Sequence, residues 1–278
     1  MQHRDGRFNG PSGLSVYYQY WMPELPPRAV LLVVHGAGEH SSRYQALAEF
    51  FCAHGFMVAA LDHIGHGRSD GDYGHVERFS DYLETLAIFR RQVEQDAPGL
   101  PVILLGHSMG GLISAAYVLD HGDEFRACAL SGPAIMTELT PGPVQVWIIK
   151  LLSALLPKAG VMQLDAGGVS RDPSVVSAYV SDPLVNHGKM SARFVSELFA
   201  TMLRVQAEVG RIALPLLVMH GEADAMTAPA GAKFLVENAS STEKTLKLYP
   251  GLYHEIFNEP EREQVLADLL AWCEARLA

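Results

Sequence analysis

The sequence predicts an α/β fold: a mostly parallel central sheet flanked by helices, interrupted in the middle of the chain by a helical insertion. Three observations lead there. Short, wholly apolar runs such as Val30–Val34, Met57–Leu61, Val102–Leu105 and Leu216–Met219 have the character of strands buried on both faces, as parallel strands are. Up to Gly132 these runs alternate with amphipathic or apolar helical stretches, the rhythm of a sheet covered by crossover helices. From about Ala134 to Arg211 that rhythm stops, and only helical pattern is found. The expected division is therefore a core of residues 1–133 and 212–278 with an inserted cap of residues 134–211.

In order along the chain, the aromatic-rich stretch Val16–Trp21 reads as an early strand, antiparallel and near the edge, and residues 23–27 as a turn. Val30–Val34 is the first buried strand and ends in His35-Gly36-Ala37-Gly38. Ser41 or Ser42 is placed to cap a helix running to about His54. Met57–Leu61 follows, then a polar loop through Asp62–Ser69, a helix from Phe79 to about Gln95, and the strand Val102–Leu105. Residues 128–132 form another strand end. Beyond the insertion come Leu216–Gly221, a helix over Ala230–Asn238, the strand Thr245–Tyr249 and a last helix from about Pro260 to Leu277.

Composition narrows the partners. Half the 278 residues are hydrophobic (49%), enough for a large core. The net charge of −10, with no cluster of Lys or Arg, excludes nucleic acid as a natural partner. Cys52, Cys128 and Cys273 show neither metal spacing nor a disulfide framework, which points to a reduced, cytoplasmic setting. The first residues carry no apolar segment of signal-peptide type, and no apolar run reaches transmembrane length. Within the insertion, residues 144–156 are apolar nearly all round apart from Lys150. Two readings stand: a helix buried between insertion and core, or an apolar rim that guides a lipid or touches a membrane surface.

The chemistry centres on Gly106-His107-Ser108-Met109-Gly110, set between an apolar strand and an apolar helix. Strand, Gly-x-Ser-x-Gly, helix is the context of a nucleophile elbow, in which a strained turn presents a serine at a helix N-terminus. The same pattern recurs at Gly67-Arg68-Ser69-Asp70-Gly71, but no strand leads into it and no helix follows, so Ser69 reads as a loop serine. A serine hydroxyl needs a base, and the base an orienting acid. In chain order the acid should follow a late strand and the histidine the next one. Asp224, in the loop after Leu216–Gly221, and His254, after Thr245–Tyr249, fill those places. Glu222 stands as the competing acid. His35 and His107 adjoin strand-end turns, where an imidazole braces a loop. Stabilising a tetrahedral oxyanion calls for two fixed N–H groups, expected from Met109 and Ala37. No histidine pair at helical spacing suggests a metal, and no cofactor is expected.

With these residues placed, the chain resembles the monoacylglycerol lipase family of α/β-hydrolases, a family of serine hydrolases. The most specific piece is His35-Gly36-Ala37-Gly38-Glu39-His40-Ser41-Ser42-Arg43-Tyr44. Gly65-His66-Gly67-Arg68-Ser69, the Ser108 turn, Ser181-Asp182-Pro183-Leu184 and Thr245–Tyr249 add to it. The resemblance covers nearly the full length. It implies the α/β-hydrolase fold with a helical cap after its sixth strand, and hydrolysis of a monoacylglycerol to glycerol and a fatty acid without a cofactor. A mobile lid and an apolar acyl tunnel beneath the cap are implied too; transient membrane contact through the cap is the expectation that the apolar stretch 144–156 carries. By motif match, Glu39, Arg43 and Tyr179 would hold the glycerol; the first two also suit a capping or salt-bridge role, and Tyr179 cap packing. Two positions depart from the animal members: Phe257 stands where they have a second histidine, and Thr227 where they have a cysteine. Other activities share such machinery: a carboxylesterase or lysophospholipase, an acyltransferase or perhydrolase, and a non-catalytic binding protein.

Overall fold

The computed structural model describes residues 1–137 and 143–277, with side chains described outside 143–146. The strands are β1 (Gln2–Asn9), β2 (Ser15–Met22), β3 (Ala29–Val34), β4 (Phe56–Leu61), β5 (Val102–His107), β6 (Ala127–Ser131), β7 (Gly160–Met162), β8 (Met190–Ser191), β9 (Leu216–Gly221) and β10 (Lys244–Tyr249). The helices are α1 (Gln45–Ala53), α2 (Ser80–Asp96), α3 (Met109–His121), α4 (Pro143–Leu155), α5 (Pro173–Ser181), α6 (Ala192–Glu208), α7 (Pro229–Asn238) and α8 (Arg262–Glu274). Eight strands form one sheet in the order β1-β2-β4-β3-β5-β6-β9-β10. β1 pairs antiparallel with β2, and β2 with β4; every other pairing in that sheet is parallel. The alternation of apolar runs predicts such a mostly parallel sheet, and the resemblance implies its α/β-hydrolase form.

The apolar runs form strands because both of their faces are covered. Every residue of β3, β4, β5, β6 and β9 is buried. Side chains alternate across a strand, so β3 serves two cores. Val30, Leu32 and Val34 pack with Phe89 of α2, Leu112 of α3, Phe194 of α6 and Leu235 of α7. Ala29, Leu31 and Val33 face the other way, against Phe51 of α1 and Leu269 and Trp272 of α8. α3 is buried from Met109 to Leu119, which explains a helix without a polar face.

Two expectations are corrected, and one strand was not foreseen: β1, whose alternating polar sequence at the sheet edge gives little apolar signal. Neither Ser41 nor Ser42 caps α1: residues 41–44 form a tight turn first, and α1 starts at Gln45 without a side-chain cap. The Ser41 amide and hydroxyl instead donate to Asp62 Oδ1, at 2.8 and 2.5 Å, tying the segment after β3 to the loop after β4. Between β6 and β9 the chain is not purely helical, since β7 and β8 pair as a short antiparallel ribbon beside α4, α5 and α6.

The apolar stretch 144–156 forms most of α4. Val144, Gln145 and Val146 fall outside the described side chains. Trp147 is 63% and Leu155 69% exposed, and Ile148, Leu151 and Leu156 are exposed too, so a helix sandwiched between insertion and core is excluded for this face. Ile149 turns inward. Among the described residues no helix is long and apolar enough to cross a membrane.

Candidate active site

Ser108 sits between the C-terminal end of β5 and the first residue of α3, with φ of 55° and ψ of −120°. A non-glycine residue at such an angle costs of order 1–3 kcal/mol and persists only where its surroundings over-determine it. Here they do. The Ser108 amide donates to Ser131 O on β6 at 3.0 Å, and its carbonyl accepts from Ala134 N at 3.0 Å and Leu112 N at 3.1 Å. The flanking glycines leave room for the turn. A Cβ on Gly106 would lie 2.4 Å from Ser114 Oγ and 2.5 Å from Gly110 O; one on Gly110 would lie 2.0 Å from Val34 O. Because the last clash is with the backbone of the central strand, Gly110→Ala is expected to cost at least about 4 kcal/mol of stability, seen as a collapse of the thermal midpoint or loss of folded protein.

The loop after β3 closes over this turn. A Cβ on Gly36 would lie 3.0 Å from Ser108 Cβ, so the two backbones approach as closely as glycine allows. Gly36 N donates to Glu39 Oε1 at 2.6 Å, which draws the loop tight. Among the described residues the amides of Ala37 and Met109 donate to no loop or cap acceptor. Ala37 and Ser108 line one small cavity with His254, Tyr179 and Met226.

Asp224 and His254 arrive on neighbouring parallel strands. β9 and β10 pair in register through Gly221 and Tyr249, and the turns beyond them interlock: Glu222 N donates to Tyr249 O and Ala223 N to Leu252 O. Gly221 is required there, since a Cβ would meet the carbonyls of Leu252 and Tyr253 at 2.3 Å. His254 Nδ1 then donates to Asp224 Oδ2 at 2.7 Å, with His254 buried. Glu222, the competing acid, points to solvent. Asp224 Oδ2 also accepts from Thr227 Oγ1 at 2.9 Å and lies 3.0 Å from His220 Nε2, while Oδ1 accepts from Met226 N and Thr227 N. Burial pushes this carboxyl up, but hydrogen bonds from His220, His254 and Thr227 N and the imidazole charge outweigh it and hold it far below the usual carboxylate range. For His254, burial pulls the pKa down, and the Asp224 bond and charge with Glu255 and Glu39 raise it above the ordinary value.

Glu39, Arg43 and Tyr179 come together, but as a buried ion-pair network. Arg43 donates from Nη1 to Glu39 Oε2 at 3.1 Å and to Glu255 Oε1 at 2.5 Å, and from Nη2 to Glu255 Oε2 at 2.8 Å. Its guanidinium lies 4.7 Å from the ring centre of Tyr179. Tyr44 hydroxyl completes Glu39 Oε1 at 2.8 Å. Glu39 and Tyr179 line the Ser108 cavity, whereas Arg43 lines the pocket behind it with Phe257. The network joins the loop after β3, the residue following His254, and α5. Ser69, by contrast, is spent on the loop: its hydroxyl donates to Asp62 O at 2.6 Å and accepts from Tyr17 N at 2.8 Å. His35 braces its loop, donating from Nδ1 to Gly36 O and accepting from His63 N.

Some residues at the site escaped the reading of the sequence, and others were read without their contacts there. Glu255 directly follows His254, so adjacency was its only signal; Thr227 was marked only as a departure from the animal members, and His107 only as bracing a turn. His220 looks like a strand end. His107 packs 4.7 Å from the His254 ring, and burial followed by the His254 charge lowers its pKa to about 4, leaving it neutral. Among the described residues no group of three or more His, Cys, Asp or Glu side chains could hold a metal ion.

Comparison with known proteins places this geometry. Residues 25–261 match the Hydrolase_4 family, described as serine aminopeptidase S33. The monoacylglycerol lipase of Mycolicibacterium smegmatis is 42% identical over 97% of this chain and 96% of its own. The monoglyceride lipase of Rattus norvegicus is 36% identical over 96% of this chain and 89% of its own. The crystal structure of a monoacylglycerol lipase from Paleococcus ferrophilus superposes with a TM-score of 0.83 at 30% identity, covering 99% of this chain and all (100%) of the other. The chain therefore belongs to the Hydrolase_4 family and, within it, to the monoacylglycerol lipase family of α/β-hydrolases.

Proposed function

We propose that this protein is a carboxylic ester hydrolase that cleaves monoacylglycerols to glycerol and a fatty acid through an acyl-enzyme on Ser108. The observation that carries the reading is the 2.7 Å bond from His254 Nδ1 to Asp224, in a cavity that Ser108 also lines. His254 Nε2 takes the Ser108 proton as Oγ attacks the ester carbonyl, then returns it to the departing glycerol oxygen. Water, activated by the same imidazole, releases the fatty acid and restores Ser108. Asp224 orients His254 and stabilises its charged form. The N–H groups of Ala37 and Met109 receive the oxyanion, each donor contributing about 2.7–4 kcal/mol in sites of this kind.

Residues 134–211 serve as a cap over the core of residues 1–133 and 212–278. An apolar cavity of about 480 Å³ lies between α4 and α6, walled by Ile135, Met136, Ile149, Phe199, Met202 and Leu203, and suits an acyl chain. Its wall starts one residue beyond Ala134, whose amide bonds to Ser108 O. The exposed apolar face of α4 meets the lipid surface from which the substrate is drawn. On the polar side Tyr179 contacts the glycerol. Glu39 and Arg43 contribute to the same subsite, Glu39 from its wall and Arg43 from behind it.

Glycerol release from a long-chain monoacylglycerol, measured beside turnover of lysophospholipid and short p-nitrophenyl esters, tests the substrate. Long-chain monoacylglycerol is expected to have the highest kcat/KM. Much faster turnover of the short esters would replace this reading with a carboxylesterase of broad specificity.

A further inference from the structure

We infer that His220 is a positioning residue for the acid of the site: a second histidine that holds the same carboxylate oxygen of Asp224 that orients His254. The inference rests on the reading of Ser108, Asp224 and His254 just given.

β9 is otherwise apolar up to Met219, and a buried polar side chain in such a strand is costly unless it is hydrogen-bonded. His220 is 0% exposed. All its polar contacts are made by Nε2: Asp224 Oδ2 at 3.0 Å, Thr227 O at 3.2 Å and Thr227 Oγ1 at 3.3 Å. Among the described residues Nδ1 has no partner. A neutral imidazole carries one N–H. On Nε2 it is a donor to the carboxylate; on Nδ1 it would be a buried donor with no acceptor, and a lone pair would face Asp224. The surroundings therefore select the Nε2–H tautomer, aimed at Oδ2.

That donor has a consequence for His254. Oδ2 is shared by His220, Thr227 Oγ1 and His254 Nδ1, and Oδ1 by two amides, so the carboxylate plane is fixed from both sides. Charge drawn toward His220 is charge not available to His254. Loss of the His220 donor then loosens the orientation of His254 and strengthens its hold on a proton. The other groups facing His254 remain: Glu255 beside it, held by Arg43, Glu39 from the segment after β3, and the neutral His107 ring from β5.

The test compares His220→Leu with His220→Gln, whose amide nitrogen reaches where Nε2 does, on p-nitrophenyl butyrate. In His220→Leu, kcat is expected to fall about tenfold, with KM within about twofold and the acid limb of kcat/KM moved up by about half to one pH unit. His220→Gln should restore both to near wild type. A leucine variant with an unmoved acid limb, or a glutamine variant equally impaired while melting like the wild type, overturns the inference. The wild-type protein provides a readout independent of any variant's folding: imidazole ¹⁵N–¹H correlations should show His220 as the Nε2–H tautomer, and the Nδ1–H tautomer would refute it. Wild type that a fluorophosphonate does not label at Ser108 removes the reading beneath it and this inference together. Labelled wild type with an unmoved leucine variant removes the inference alone.

Discussion

Ser108→Ala is expected to lower kcat by roughly a millionfold, leaving only what oxyanion stabilisation and binding give over water. The fold should survive, because the turn is held by backbone bonds to Ser131 O, Ala134 N and Leu112 N rather than by the hydroxyl. Alanine at φ of 55° is no worse placed than serine. Fluorophosphonate labelling should vanish along with turnover. Ser69→Ala is the control: it carries the other copy of the glycine-flanked motif, yet its hydroxyl only ties the loop after β4 to Tyr17 N and Asp62 O. It should keep near-normal rates and lose some stability, since a buried partner is left unpaired. Normal turnover by Ser108→Ala, or its loss in Ser69→Ala with an intact melt, would move the nucleophile elsewhere.

The second large effect is expected from Asp224→Asn, a fall in kcat of about 10⁴-fold. The carboxylate accepts from His254 Nδ1, and in the proposed reaction this leaves Nε2 free to take the serine proton. An amide turned to offer its NH₂ would instead favour the Nδ1-unprotonated tautomer, whose Nε2 carries a proton and is no base. That orientation also sets the NH₂ against the Thr227 hydroxyl and His220, which donate to Oδ2, and the opposite one sets it against the Met226 and Thr227 amides, which donate to Oδ1, so bonds are lost whichever way it turns. Glu222→Gln should be silent, because Glu222 faces solvent two residues away. A mild Asp224→Asn beside a damaging Glu222→Gln, measured as kcat on the same ester, would reverse the assignment of the acid.

Much of this was legible in the sequence for local reasons. Apolar runs such as Val30–Val34 and Leu216–Met219 can be satisfied only as strands covered on both faces, so they announce a parallel sheet. The elbow is legible because one turn needs two glycines and a following helix. β1 was not, since an edge strand exposed to water has no need of apolar residues. The capping expected of Ser41 failed because Asp62, distant in sequence, competes for its hydroxyl and its amide.

The sequence by itself determined the class of fold, the strained turn at Ser108 and the order in which an acid and a histidine follow it. These rest on local backbone geometry and on periodic burial, which neighbouring residues dictate. Only the tertiary structure decided which acid faces His254, that Arg43 is spent on Glu39 and Glu255, and that His220 and Thr227 share Asp224 Oδ2. Those outcomes depend on β9 and β10 lying in register and on glycines that let their turns touch. A hydrogen bond is settled within a few tenths of an ångström, and no spacing in a chain specifies distance that finely until the sheet has formed.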